Sequence, residues 1–130
     1  VAAGMDMFDC VIPTRNARHG LLYVRRRSVS LRGRFWTELR ISNAAYRTDR
    51  RPLDSACACP TCRGPSAMSR HRVLDIEMSS GPNGGYARAY LHHLFRIGDA
   101  AAATLATLHN VRFFMELMED IRRGIRSGTL

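Results

Sequence analysis

The sequence predicts an α/β fold in which short strands come first, helices come last, and a cysteine-rich segment lies between them. Residues 7–12, which end at Pro13, and residues 21–24 are short apolar runs typical of buried strands. From residue 86 onward the apolar residues recur with helical spacing. Between these two parts, three cysteines fall within six residues, which indicates a metal site.

The cysteines of segment 57–62 follow the pattern C-x-C-x-x-C. Zinc prefers four nitrogen or sulfur ligands in a tetrahedron, so three thiolates require one more ligand, most often a histidine. Four downstream histidines remain open as that ligand, and position alone gives only a slight preference for the last of them: His71, His92, His93 and His109. The alternative is a set of metal-free buried cysteines or a disulfide, which would leave an odd cysteine.

The chain is strongly basic, and the positive charge is concentrated in its first part. It has 130 residues, enough for one domain with a modest core, and a formal net charge of +9. Residues 1–51 hold 11 arginines against four carboxylates, which gives +7. A pI near 10.6 favours a polyanionic partner, and nucleic acid is the usual one.

The location expected from the sequence is cytoplasmic. No apolar run approaches membrane-spanning length, and the first residues lack the pattern of a signal peptide. The cysteine pattern suits metal binding in a reducing compartment better than a secreted disulfide framework. The chain begins with valine, and we expect it to be a fragment of a longer protein.

Polar side chains near the start of the chain are candidates for chemistry. Asp9 lies inside a predicted strand, where a carboxylate either has a functional role or hydrogen-bonds the backbone at the strand end. The loop predicted for residues 14–20 carries Arg15 and Arg18, which either read base edges and phosphates or are solvated. The basic stretch 25–36 is open to the same two interpretations, as a nucleic-acid contact or as a solvated loop.

Residues 63–85 resemble an insertion, because they begin and end with strong helix and strand breakers. A short, weakly alternating strand is predicted inside it, at residues 73–78. Helices are predicted after it: one over residues 87–96, a second capped by Asp99 and a third capped by Asn110. The third helix carries an apolar stripe, predicted to be core or subunit interface: Val111, Phe114, Met115, Met118, Ile121 and Ile125.

Four motifs together resemble one known family, the tRNA-guanine transglycosylases of the bacterial type. Residues 6–18, DMFDCVIPTRNAR, resemble the catalytic segment of that family, and residues 57–62, CACPTC, resemble its zinc knuckle. Residues 86–95, YARAYLHHLF, and residues 108–111, LHNV, resemble its terminal helices. The motifs occur in the family's order over nearly the whole chain.

The resemblance implies the C-terminal portion of a (β/α)8 (TIM) barrel with a zinc-binding subdomain and terminal helices. Residues 1–53 would hold the last barrel strands with the catalytic and tRNA-reading segment, and residues 54–130 the zinc subdomain. The implied reaction exchanges guanine at the tRNA wobble position for a 7-deazaguanine base, preQ1 or queuine. The implied partners are the tRNA anticodon loop, the base and, at full length, a second copy of the protein.

The resemblance also implies roles for individual residues. Asp9 corresponds to the nucleophile that forms a covalent aspartyl-ribose intermediate. The tRNA-binding residues are implied to be Thr14, Arg15, Asn16, Ala17 and Arg18. The structural zinc ion is implied to be bound by Cys57, Cys59, Cys62 and His109.

Several features depart from the family pattern. A whole barrel needs roughly 250 residues, so this chain would lack the second catalytic aspartate and the base pocket and would be inactive alone. Cys62 and His109 are separated by 46 residues, roughly twice the family's spacing, and most of the excess lies in residues 64–85. Ala87 stands where the family usually has serine. The alternative functions are a non-catalytic, zinc-dependent RNA-binding module and an accessory subunit that docks through the apolar stripe.

Overall fold

A computed structural model of the chain describes residues 4, 7, 9–25, 36–64 and 84–129. These residues form four α-helices and a two-stranded sheet. In chain order the elements are α1 (Ile12–Arg18), β1 (Leu21–Arg25), β2 (Trp36–Arg40), a 3₁₀ turn (Ala44–Tyr46), α2 (Pro60–Arg63), α3 (Arg88–Ile97) and α4 (Ala100–Arg126). Helix α4 packs against α1, α2, α3 and β1, so it organises the described core.

Helix α1 replaces the end of the predicted strand 7–12 and the loop predicted after it. Proline is tolerated in the first turn of a helix, where no intrahelical partner exists for its missing N–H, so Pro13 lies inside the helix instead of ending a strand. The hydroxyl of Thr14 donates to the Val11 carbonyl oxygen at 3.2 Å and supports that first turn. The described residues of the expected strand, Met7 and 9–11, are exposed and belong to no strand.

Strands β1 and β2 pair antiparallel, with Leu21 opposite Arg40 and Arg25 opposite Trp36. The strand predicted at residues 21–24 is therefore confirmed. Gly20 makes the turn between α1 and β1 with a φ of +72°, and an added Cβ there would lie 3.2 Å from the Ile41 side chain. The connection 26–35, which holds most of the predicted basic stretch, lies outside the described residues.

Helices α3 and α4 confirm part of the prediction and correct the rest. Gly98 ends α3 in the left-handed conformation, and the Asp99 side chain accepts a hydrogen bond from the Ala101 N–H at 2.8 Å, as a helix cap does. The third helix predicted to start at Asn110 does not exist, because α4 continues without a break to Arg126. The Asn110 side chain is fully buried and hydrogen-bonds the backbone of other segments, so it does not compete with the helix.

The apolar stripe of α4 is more exposed than the sequence predicts. Four of its members are between 40% and 65% exposed: Val111, Met115, Met118 and Ile125. Phe113, which the predicted stripe omits, is buried, and its ring stacks on that of Tyr23 with centroids 5.6 Å apart. In the described part of the chain the stripe is therefore mainly surface, and its role as a subunit interface stays a prediction.

The two ends of the predicted insertion lie against each other. A Cβ added to Gly64 would lie 2.0 Å from the carbonyl oxygen of Gly84, and one added to Gly85 would lie 2.0 Å from that of Cys62. The Tyr86 N–H donates to the Thr61 carbonyl oxygen at 2.9 Å. The chain therefore leaves α2 and returns to it at one place. Residues 65–83, with the strand predicted at 73–78, lie outside the described residues.

Shortening this segment is expected to leave the cysteine-rich site intact. If an Asn-Gly turn replaces residues 65–83 in the full-length protein, the adjacent ends still meet, and the change in loop-closure free energy is only about 2 kcal/mol. Metal content per chain and the thermal midpoint are the measurements. The control replaces the same residues with a Gly/Ser sequence of equal length. Loss of metal from the short variant alone would contradict the insertion hypothesis.

Candidate metal centre

The structure brings together all four residues that the family resemblance implies as metal ligands. Cys59 precedes α2, Cys62 lies inside it, Cys57 lies two residues upstream, and His109 lies near the middle of α4. Their side-chain donor atoms lie within 4.8 Å of one another, and all four residues are buried. The Nδ1 atom of His109 lies 3.6 Å from Cys59 Sγ and 3.4 Å from Cys62 Sγ.

These distances fit a tetrahedral zinc ion. Zinc–sulfur bonds of about 2.3 Å and zinc–nitrogen bonds of about 2.0–2.1 Å place sulfur and nitrogen about 3.6 Å apart in a tetrahedron. The two separations in the structure, 3.4 and 3.6 Å, are close to that value. Four protein donors complete the coordination and leave no open position, so the arrangement suits a structural ion and not a catalytic one.

The orientation of His109 is also that of a metal ligand. Its Nε2 atom lies 2.8 Å from the backbone carbonyl oxygen of Tyr23, to which it donates a hydrogen bond. In the neutral ring this leaves the Nδ1 lone pair facing the cysteines. A hydrogen bond from the second ring nitrogen to a carbonyl is the usual support of a ligating histidine, because it fixes the tautomer and the ring orientation.

The four donors perturb one another's protonation. Burial lowers the pKa of His109, but hydrogen bonds with Cys57 and Cys59 outweigh it and raise that pKa to about 10. Hydrogen bonds with Cys57 and Cys62 lower the pKa of the Cys59 thiol, whereas those with Cys57 and Cys59 raise the pKa of Cys62. Thiolates are the form that binds metal, and a divalent cation between them offsets their mutual repulsion.

The remaining histidines do not join this group. His92 is buried, but its Nδ1 atom hydrogen-bonds the Ile41 carbonyl oxygen at 2.8 Å, so it links α3 to the end of the hairpin. His93 is exposed, and His71 lies outside the described residues. Within the described ranges, the geometry therefore selects His109 from the histidines that position alone left open.

A partly buried network of ion pairs and hydrogen bonds fixes the segment that leads into the cysteines. The Arg88 guanidinium donates to the carbonyl oxygens of Pro52 and Leu53 at 3.0 and 2.9 Å and forms an ion pair with Asp49 at 3.3 Å. The Asp54 carboxylate accepts from the N–H groups of Arg25 and Ala56. Sequence reasoning missed these residues, because their partners are up to 39 positions away and no local pattern marks them.

The Asp49 contacts make the stability of this segment dependent on pH. Hydrogen bonds from Arg51 hold the pKa of the Asp49 carboxyl well below its ordinary value, although burial opposes them. A lowered folded-state pKa stabilises the protein above the unfolded pKa near 3.9, and this contribution disappears as the pH falls further. Asp49→Asn should therefore lower stability to urea at pH 7. The deficit should be smaller at pH 3, below the unfolded pKa, and should shrink further as the pH falls toward the folded pKa.

The control for this prediction is Glu38→Gln, which changes an exposed carboxylate on β2. It should leave the urea midpoint nearly unchanged at both pH values, because surface substitutions have small effects. A deficit of Asp49→Asn that stays constant from pH 7 to pH 3 would show that the carboxylate charge is not the stabilising feature.

The segment predicted to read tRNA forms helix α1, and its side chains point in different directions. Arg15 and Arg18 are exposed, whereas Ala17 is fully buried in the core and therefore serves packing. Asn16 is half-buried and donates from Nδ2 to the Tyr23 hydroxyl at 2.5 Å. Asp9, three residues before the helix, is exposed.

Comparison with known proteins identifies the family. The family described as queuine tRNA-ribosyltransferase matches residues 1–130. The chain is 42% identical over 128 residues to a queuine tRNA-ribosyltransferase of Verminephrobacter eiseniae, which is 98% of this chain and 28% of the relative. It is 41% identical over 128 residues to the protein of that name from Acidovorax sp., with the same two shares. It is 42% identical over 127 residues to that of Ralstonia nicotianae, with shares of 98% and 25%.

The match covers nearly all of this chain but a minor part of each relative. The chain spans 28% of the length of the first two curated relatives. It includes the cysteine pattern and the histidine that the structure brings together. The chain belongs to the queuine tRNA-ribosyltransferase family.

Proposed function

We propose that this chain is the zinc-bearing and tRNA-reading C-terminal part of a tRNA-guanine transglycosylase of queuosine synthesis. The observation that carries the proposal is the family match over residues 1–130 together with the closed group of three cysteines and one histidine. The whole enzyme would exchange guanine at the tRNA wobble position for a 7-deazaguanine base. The net charge of +9 suits the polyanionic substrate.

The proposed chemistry needs a carboxylate nucleophile, and Asp9 is our candidate. Its carboxylate attacks the anomeric carbon of the wobble nucleotide, while the glycosidic bond breaks and guanine leaves with the bonding electrons and takes a proton from a general acid outside this chain. The ring nitrogen of the incoming base then attacks the same carbon, releases the Asp9 carboxylate and gives up its proton to the group that protonated guanine, which now acts as the base. The exposure of Asp9 supports this role, because its carboxylate is open to a substrate.

We assign Arg15 and Arg18 to substrate recognition. Both are exposed and lie three residues apart on α1, so they occupy neighbouring positions on one face of the helix. Guanidinium groups donate bidentate hydrogen bonds to base edges and phosphates. Arginines that hold the neighbours of the wobble base would stabilise its extrusion from the stack, which the reaction requires.

We infer a (β/α)8 barrel for the rest of the whole protein. Relatives more than three times as long as this chain leave room for the roughly 250 residues that a barrel needs. Residues 1–53 would contribute the last barrel strands and the catalytic segment, and residues 54–130 the zinc subdomain with its loop at residues 63–85. The zinc ion would be bound by Cys57, Cys59, Cys62 and His109 and would stabilise the packing of α2 on α4.

The partners and location of the whole protein complete the proposal. We propose a homodimer at full length. Several side chains on α4 are both apolar and exposed in this chain, and either a second copy or the rest of the same protein would cover them. The described residues contain no helix that is long and apolar enough to cross a membrane. We propose a cytoplasmic location, where the metal-binding thiols would stay reduced.

The direct test measures incorporation of labelled guanine into tRNA by the full-length protein. We expect exchange by the full-length protein and none by the 130-residue chain alone, which lacks a general acid and a base pocket. A non-catalytic RNA-binding module would instead give salt-dependent RNA binding by the 130-residue chain without exchange by either form. Failure of the full-length protein to exchange guanine would overturn the proposed function.

A further inference from the structure

Tyr23 connects the metal site to helix α1 through two hydrogen bonds at opposite ends of the residue. Its backbone carbonyl oxygen accepts from His109 Nε2 at 2.8 Å, and its side-chain hydroxyl accepts from Asn16 Nδ2 at 2.5 Å. Packing fixes the ring that lies between the backbone and the hydroxyl: it stacks on Phe113 and meets Phe114 edge to face. Tyr23 is 7% exposed, so solvent competes little for the backbone bond.

Asn110 adds a second connection from the same turn of α4. Its Oδ1 atom accepts from the Tyr23 N–H at 3.2 Å, and its Nδ2 group donates to the carbonyl oxygens of Leu21 and Pro13 at 2.9 and 3.1 Å. Asn110, the residue next to the histidine ligand, therefore links both β1 and the first turn of α1 to α4. No buried side-chain nitrogen or oxygen in the described ranges lacks a partner, so this network is fully satisfied.

Helix α1 depends on these contacts for its position. It has seven residues, and its N-cap residue, Val11, makes no side-chain capping hydrogen bond. An isolated helix this short is not stable in water, so its orientation comes from tertiary packing. Asn16 and Ala17 face the core side, while Arg15 and Arg18 face outward. A rotation of α1 about its axis would move both arginines together.

We propose that Asn16 is a positioning residue that acts through Tyr23, so that the metal-supported turn of α4 sets the direction of Arg15 and Arg18. The resemblance places Asn16 among the tRNA-binding residues, but its amide N–H is directed at the Tyr23 hydroxyl. It therefore serves RNA recognition by fixing the helix and not by touching the RNA. This inference rests on the proposed function, because it assumes that α1 reads RNA.

The test is a double-mutant cycle on the full-length protein, with an anticodon stem-loop RNA as the probe. Asn16→Ala and Tyr23→Phe should each weaken binding by about 3- to 10-fold, the effect of one lost hydrogen bond. The double variant should bind no more weakly than either single variant, because both changes remove the same bond. The same substitutions should weaken the binding of a stem-loop with a scrambled loop by a smaller factor. Only recognition of the bases depends on the direction of the arginine side chains.

A second measurement does not depend on RNA. Hydrogen exchange of backbone amides in α1 should become faster in Asn16→Ala and Tyr23→Phe by the same factor, while α3 stays unchanged. Zinc content should remain that of the wild type in both variants. Tyr46→Phe is the matched control, because it removes a tyrosine hydroxyl from the 3₁₀ turn and should change neither RNA binding nor exchange of α1.

Each contrary outcome has a separate meaning. If Asn16→Ala weakens RNA binding and Tyr23→Phe does not, Asn16 contacts RNA directly and the positioning role is wrong. If both variants behave like the wild type in RNA binding and in exchange of α1, the bond does not hold the helix and the inference is overturned. Failure of the wild-type protein to bind the stem-loop or to exchange guanine would instead overturn the proposed function, and with it the assumption that α1 reads RNA.

Discussion

Replacing Asp9 with alanine in the full-length protein is expected to abolish guanine exchange while tRNA still binds. If Asp9 is the nucleophile, no aspartyl-ribose intermediate can form, and loss of a covalent nucleophile lowers the rate by at least about 10³-fold. Binding should persist, because Arg15 and Arg18 lie on helix α1, which begins after Asp9, and the change leaves them in place. Denaturing electrophoresis of protein mixed with tRNA measures the adduct, and labelled guanine measures exchange.

Two further variants make this result specific. Asp9→Asn keeps the size of the side chain but removes the charge, so it should also fail to form the adduct. Cys10→Ser changes the neighbouring residue, which is also exposed, and should retain both adduct and exchange. An adduct that persists in Asp9→Ala would show that another residue is the nucleophile.

Replacing His109 with alanine is expected to release the zinc ion and to unfold the region around it. The change removes the nitrogen ligand and the hydrogen bond to the Tyr23 carbonyl oxygen. Binding of structural zinc contributes about 10–16 kcal/mol of folding free energy in zinc-finger peptides at neutral pH, so its loss outweighs the stability of a small domain. Metal analysis of the purified protein and a thermal scan are the measurements.

The two histidines of α3 supply matched controls for this prediction. His93→Ala alters an exposed residue and should keep both zinc and stability. His92→Ala removes a buried bond to the Ile41 carbonyl oxygen, so it should lower stability by about 1–3 kcal/mol without loss of zinc. His109→Cys restores a fourth soft donor and should recover zinc binding. Full zinc content in His109→Ala would exclude His109 as a ligand.

Local features of the sequence predict those parts of the structure that depend on residues close together in the chain. The spacing of the cysteines predicted a metal site, Asp99 predicted a helix start, and the apolar run after Gly20 predicted β1. Each of these signals lies within a few residues of its consequence. Family resemblance added His109, which lies 47 positions beyond the last cysteine and which position alone left among four histidines.

Local patterns give the wrong prediction where contacts with residues far away in the sequence determine the structure. The apolar run before Pro13 predicts a strand that ends there. The missing N–H of Pro13 is equally compatible with the first turn of a helix, and packing of Ala17 in the core favours the helix. Asn110 is a residue type that favours a helix cap, but its bonds to residues 13, 21 and 23 keep it inside α4. The stabilising role of Arg88 depends on backbone carbonyls 35 and 36 positions away.

Zinc X-ray absorption of the full-length protein, together with metal stoichiometry, tests the central claim most directly. The claim is that Cys57, Cys59, Cys62 and His109 close one structural zinc site although 46 residues separate Cys62 from His109. We expect one zinc ion per chain with three sulfur neighbours at about 2.3 Å and one nitrogen at about 2.0–2.1 Å. A chain without zinc, or a zinc ion surrounded by oxygen ligands or by four sulfurs, would contradict it.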